Sequence, residues 1–219
     1  FKSSSGKYVS LKEYVSSMKD EQKSIYYASG ETVERIEMLP QVEAVKEKGY
    51  EILYFTESVD EFAIQMLREF DGKKFANICT DNIELDTDEE KEELKEKNES
   101  GKDLLDYLKE SIGEGVFGVR FTNKLKNHPV CLTTEGEISL EMEKVLNSMP
   151  TNDQKIKANV VLEINASHPI ADKLAELYET DKDKAAEYAK ILYAQARLIE
   201  GLSVDNPTEL SNMICNLMV

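Results

Sequence analysis

The chain has 219 residues, 41% hydrophobic and 32% charged, a composition that suits one large or two small globular domains and argues against disorder. A formal net charge of −16 repels phosphate backbones and anionic lipid, so neither nucleic acid nor a membrane surface is an expected partner. No apolar run reaches the length of a membrane span and no secretory leader is recognisable, which predicts a cytoplasmic location.

In chain order, Val9, Leu11, Tyr14, Val15 and Met18 take helical spacing behind Ser10, which is placed to cap. Residues 24–29, SIYYAS, form a β-prone run closed by Gly30. Val33, Ile36 and Leu39 share a helical face up to Pro40, and Val42 and Val45 mark a second short helix that stops at Gly49. EILYF, 51–55, predicts a buried strand, and 59–70 a helix with Phe62, Ala63, Met66, Leu67 and Phe70 apolar. FANI, 75–78, adds a strand. Strand and helix alternating through short connections predict a small parallel α/β layer with right-handed crossovers.

Residues 86–100 are almost wholly charged, with Leu94 alone apolar; they can form a solvated helix but no core, and are read as a charged linker at a domain boundary. A helix over 102–111 follows, with Leu104, Leu105 and Leu108 apolar. Three alternating strands come next, carrying Phe117, Val119 and Phe121, then Val130 and Leu132, then Ala158, Val160, Leu162 and Ile164. Between the second and third of them, EISLEMEKVLNSMP is helical with Ile138, Met142, Val145, Leu146 and Met149 on one side. His168 and Pro169 open a helix carrying Ile170, Leu174 and Leu177.

From Lys184 the polar residues Glu187, Lys190, Arg197 and Glu200 occupy one narrow stripe, so the helix should be covered on two sides. Gly201 suits its C-terminal cap. Asn206, Pro207 and Glu209 then give the cap, first-turn proline and capping-box acid of a final helix, with Leu210, Met213, Ile214, Leu217 and Met218 on one face. That face can pack back on its own domain or meet a second copy, and the two-sided helix before it favours a homodimer closed by a four-helix bundle. On this reading Ile191, Leu192, Ile199, Leu210, Met213, Ile214, Leu217 and Met218 form the interface, and Leu210→Glu yields monomers in light scattering.

The predicted fold class is therefore α/β, α+β overall: a parallel α/β/α lobe over 1–85, a charged linker over 86–100, and a mixed α+β dimerisation domain over 101–219. That last domain would hold a short three-stranded sheet and the C-terminal helix pair.

Few residues suggest chemistry. GEGVFG, 113–118, matches G-x-G-x-x-G, but a helix precedes it and a strand follows, the reverse of what a phosphate-binding loop needs. Its glycines are read as a helix end and a turn. His128 and His168 both precede proline, have no metal-ligand spacing and read as structural. Cys79, Cys131 and Cys215 are odd in number and lack any CxxC pair, so they are expected to be buried thiols. No catalytic residue, metal ligand or cofactor site is assigned. The helix over 138–149 has two open readings, an ordinary core helix or an adaptable methionine-bearing surface.

Four segments, SLKEYVSSMKDEQKSIYYASG, GYEILYFTESVDEFAIQMLREFDGKKF, GVRFTNKLKNHPVCLTT and DNPTELSNMICNLMV, resemble the ninety-kilodalton heat-shock chaperone family, most closely its bacterial form. The resemblance covers nearly the whole chain. It implies the end of the middle domain plus the C-terminal dimerisation domain, which agrees with the interface read from pattern. It implies client binding by Glu61, Phe62 and Gln65, where relatives can carry Trp in place of Phe62, and by Ile138, Met142, Val145, Leu146 and Met149. ATP and Mg²⁺ belong, by the same resemblance, to regions of the full-length protein outside this segment, which is expected not to be an ATPase. The chain opens at Phe1 without an initiator Met, so a piece of a longer protein is expected; its end at Val219, without the acidic tail of cytosolic eukaryotic relatives, fits a bacterial source. Two other readings stay open, a purely structural dimerisation module and a fragment of an α/β enzyme with an unrecognised carboxylate site.

Overall fold

The alternation in SIYYAS sends Ile25 and Tyr27 to one side of a strand and Tyr26 and Ala28 to the other, and all four are buried because both faces are covered. A computed structural model describes residues 1–80, 83, 85–149 and 155–218. Pro150 and Val219, which closed two of the predicted helical stretches, lie outside the described residues.

The first elements are β1 (Lys2–Ser3), α1 (Leu11–Ser17), β2 (Ser24–Ser29), α2 (Val33–Glu37), α3 (Pro40–Glu47), β3 (Leu53–Phe55), α4 (Asp60–Leu67), β4 (Glu69–Phe70) and β5 (Lys73–Asn77). Their strands form one five-stranded sheet in the order β1-β3-β2-β5-β4. The centre is parallel, with Tyr27 opposite Leu53 and Ile25 opposite Phe75, while β1 and β4 pair antiparallel at the two edges. One face packs on α2 and α3 through Ile36, Val42, Val45, Ile52 and Tyr54. The other packs through Tyr14, Leu53, Phe55 and Ile64, with Val15 and Met18 of the first helical pattern alongside. Each fully buried side chain of this size contributes about 1.5–3 kcal/mol.

Sequence signals place the helix starts. Ser10 and Glu13 make the reciprocal capping box of α1, and Thr32 caps α2. The predicted helix over 59–70 is cut short at Leu67, because Arg68 and Asp71 take positive φ angles of 65° and 50° and turn the chain back. Phe70 then lies in β4 and reaches the core from a strand, not from a helix face.

The remaining elements are α5 (Asp88–Ser100), α6 (Lys102–Ile112), β6 (Gly118–Thr122), β7 (Val130–Glu135), α7 (Leu140–Ser148), β8 (Asn159–Asn165), α8 (Pro169–Thr180), α9 (Lys182–Ile199) and α10 (Pro207–Asn216). The molecule divides into two units. The first is Phe1–Leu85 with Thr134–Asn159, and the second is Asp86–Thr133 with Val160–Val219. Helix α7, assigned from sequence to the later domain, therefore clusters with the first unit, where Thr134 bridges to Thr80 and its N–H donates to the Cys79 carbonyl.

The second unit holds a three-stranded sheet ordered β6-β8-β7, with β6 and β8 parallel. The charged stretch over 86–100 holds helix α5, started by a Thr87/Glu90 capping box, the solvated helix its composition allows. It buries no side chain, and its attachment is polar: Asn98 exchanges two hydrogen bonds with the Phe121 backbone at 2.9 and 3.2 Å, and Lys97 donates to the Ala166 carbonyl. Glu163 of β8 is buried and accepts both Nε and Nη2 of Arg120, at 2.8 and 2.6 Å. Gly113, at φ 87°, ends α6 as the reversed glycine motif predicts. The His168 Nδ1 accepts from the Ile170 N–H and caps α8. Among the described residues no helix is long and apolar enough to cross a membrane.

A buried phenol ties α1 to the sheet. The Tyr14 hydroxyl donates to the Glu51 carbonyl and accepts from Gln22 Nε2 at 3.0 Å and from the Tyr26 N–H at 3.1 Å. Tyr14→Phe removes the acceptor that both donors use, so urea denaturation should show a midpoint lowered by a loss of about 1–3 kcal/mol at unchanged m.

Candidate functional site

Helix α4 faces the opposite way from its sequence pattern. The periodicity of DEFAIQML points Phe62, Ala63, Met66 and Leu67 inward, yet its buried residues are Glu61 and Ile64. Met66 is 86% exposed, Leu67 47% and Val59, just before the helix, 67%, while Phe62 is half-buried. The cause is a polar pull that the periodicity does not contain. Glu61 Oε1 accepts from Asn77 Nδ2 of β5 and Oε2 from the Ser139 hydroxyl, each at 2.8 Å, so the carboxylate is drawn in beside Ile64 while Met66 and Leu67 turn out.

Ser139 is also the N-cap of α7, accepting from the Met142 N–H at 3.1 Å. From α4, Gln65 Nε2 donates to the Glu137 carbonyl at 2.7 Å and lies 3.0 Å from Met142 Sδ. Within the first unit α4 and α7 thus flank a groove of about 320 Å³, lined by Phe55, Phe62, Met142 and Val145, with Glu57 and Lys144 also at its wall. Of the residues singled out from sequence, Glu61, Phe62, Met142 and Val145 line this groove and Gln65 touches Met142. Ile138 and Leu146 are half-buried without lining it, and Met149 is 45% exposed. Met142 is the buried residue of this helix, while Ile138, Val145 and Leu146 stay half-accessible.

Sequence reasoning missed Ser29, Gly30, Phe55 and Thr56, which line the same groove at the carboxyl ends of β2 and β3. Their signal was positional: ligands of parallel α/β sheets sit outside the carboxyl ends of the strands.

In the second unit, Leu210 of α10 is buried against Ile191 and Ala194 of α9, with Val204, Met213 and Ile214 partly covered beside them. Leu192 is buried too, and α9 also packs on α6 and α8. Much of the apolar excess assigned from sequence to a second copy is therefore covered by the chain's own helices. Ile191, Leu192 and Leu210 are not on the surface, and Leu210→Glu would strike this packing first. What remains exposed is Leu198 at 52%, Leu217 at 38% and Met218 at 77%. Asn206 caps α10 as expected, although Glu209 answers the Asn206 side chain at 3.0 Å and not its backbone. Cys131 is buried, but Cys79 is only half-buried and Cys215 is exposed on the polar side of α10.

The Hsp90 protein family model matches residues 1–219. The chain belongs to the Hsp90 family. It is 49% identical over 218 residues to the chaperone protein HtpG of Clostridium perfringens and 48% identical over 219 residues to that of Bacillus subtilis, in each case across 100% of this chain and 34% and 35% of the relative. The HtpG of Natranaerobius thermophilus is 49% identical over 218 residues. The chain spans about a third of the length of these curated relatives.

In this Hsp90-family chain the groove's buried acid is electrostatically unusual. Burial pushes the Glu61 carboxyl above the usual glutamate range; the hydrogen bonds from Ser139 and Asn77 pull it back, and the nearby Glu141 charge pushes it up again. Burial also raises the Tyr27 phenol, with Glu61 adding to the effect. A carboxyl whose folded pKa lies above its unfolded one contributes stability below the unfolded value, and that contribution is lost as pH rises through the folded value. Glu61→Gln removes this loss, so the difference in melting midpoint between variant and parent should grow from pH 4 towards neutrality. The variant should be the more stable at pH 7, by about 2–4 °C for each kcal/mol relieved. Parallel profiles across that range would contradict it.

Proposed function

We propose that this chain is the part of an Hsp90-family chaperone that captures unfolded or partly folded client proteins and joins two copies of the protein. The observation that carries the first half is the inverted helix α4. A polar side chain faces in, Met66, Leu67 and Val59 face out, and the groove beside them is lined by Phe62, Met142 and Val145. Exposed apolar side chains next to a greasy groove, including adaptable methionines, suit extended segments of many sequences better than one small ligand. The acidic chain favours neutral or basic clients.

Pairing of two copies is supported by what α9, α10 and the described residues after them leave uncovered: Leu198, Leu217 and Met218, with Met213, Ile214 and Ile199 half-buried nearby. A specific homodimer buries roughly 1,200–2,000 Å², a larger contact than these side chains alone, so α9 and α10 would both contribute. ATP binding and hydrolysis fall, on this reading, to other parts of the longer relatives, and these residues take no step of that chemistry. The setting is cytoplasmic.

Capture is tested with reduced, carboxymethylated lactalbumin as a permanently unfolded probe, read by fluorescence anisotropy. Phe62→Ser combined with Val145→Ser removes two half-covered apolar contacts and should weaken binding about tenfold while the fold is kept. Unchanged affinity would remove the groove from the reading. For pairing, Met218→Glu is preferable to Leu210→Glu because Met218 is 77% exposed and its replacement leaves the internal packing alone. Light scattering should find it monomeric at concentrations where the parent is dimeric; a parent that stays monomeric at high concentration would end the dimer proposal.

A further inference from the structure

Two residues of α4, Glu61 and Gln65, point their polar atoms at the start of α7. Glu61 and Gln65 are one helical turn apart and share a face. Glu61 joins Asn77 of β5 to Ser139, the N-cap, and Gln65 reaches the Glu137 carbonyl just before it. Ser139 in turn holds the Met142 N–H. The bonds therefore bracket the chain on both sides of the cap, from Glu137 to Met142.

Helix α7 needs such an anchor. Its nine residues bury only Met142, and a helix this short is marginal by itself. Burial of one methionine side chain falls well short of the conformational entropy lost in ordering nine residues. Glu61 is 4% exposed, so its side chain offers almost no surface for a docked polypeptide to touch. A carboxylate at the N-terminal end of α7 is also favoured by the helix dipole.

We propose that Glu61 and Gln65 form a clasp that holds α7 at the groove, and that they are positioning residues for client capture, acting through the placement of Met142 and Val145. The clasp's role in capture rests on the reading of the groove as a client site; its role in ordering α7 does not.

The test is amide hydrogen exchange on the whole chain, alongside binding of reduced, carboxymethylated lactalbumin, for Glu61→Ala, Gln65→Ala and Glu61→Gln. In both alanine variants the α7 amides from Glu143 to Ser148 should exchange at least about fivefold faster, the cost of a lost hydrogen bond, while amides of β2, β3 and β5 keep their protection. Probe binding should weaken in step, and Glu61→Gln, which keeps the hydrogen-bonding shape, should restore both. Unchanged α7 protection in both alanine variants overturns the proposal, as does weakened probe binding with α7 protection intact, which would mean direct contact. Should Glu61→Ala unfold the first unit, Gln65→Ala decides, since Gln65 is itself exposed. A parent that fails to bind the probe at all would sink the capture reading, and the exchange result would still decide whether the clasp exists.

Discussion

The orientation of α4 depends on one buried carboxylate. With Glu61 drawn in by Asn77 and Ser139, the helix turns Met66 and Leu67 to solvent, opens Phe62 onto a groove and places Gln65 against Glu137. An unpaired carboxyl in that position would be costly, so its two hydrogen-bond donors are as necessary as the acid itself. The donors come from a strand of the sheet and from the cap of a helix some eighty residues later, so a single polar site sets the local geometry of the groove. The raised proton affinity of Glu61 follows from the same burial.

The second unit uses polar contacts differently. Helix α5 buries nothing, yet Asn98 and Lys97 fasten it to backbone groups of β6 and of the turn after β8. Deeper in, Glu163 is buried because Arg120 supplies two donors to a single oxygen. Around α9, with α6, α8 and α10 all packed on it, the contact with α10 is the apolar cluster of Ile191, Ala194 and Leu210, while the Tyr107 hydroxyl of α6 donates to the Lys182 carbonyl. The exposed remainder, Leu198, Leu217 and Met218, is small beside the apolar surface the two helices carry in sequence, and it marks where a further copy would add to packing already present.

Much of the framework was legible without coordinates. Capping residues Ser10, Asn206 and His168 mark helix starts, because a cap is a local bond between a side chain and a backbone three or fewer residues away. Strands β2, β3 and β5 follow from β-prone runs bounded by glycine and polar residues, and the family was readable from four segments in order. The groove was half legible: α4 and α7 were singled out, but the carboxyl ends of β2 and β3 that complete it were not.

Where the elements dock was less legible. The outward turn of Met66 and Leu67 and the docking of α5 depend on partners far along the chain, and periodicity records only a residue's near neighbours; the return of Phe70 as a strand residue is a local turn at Arg68 and Asp71 that helical spacing does not record either. What the amino-acid order determined by itself was most of the elements, the starts of the capped helices and their apolar content, since these are governed by local backbone bonds and side-chain pattern. Which face each helix buries, and how much greasy surface on α9 and α10 the chain covers for itself, was decided only on folding. There Asn77, Ser139 and Glu61, or Ile191 and Leu210, first come within reach of one another.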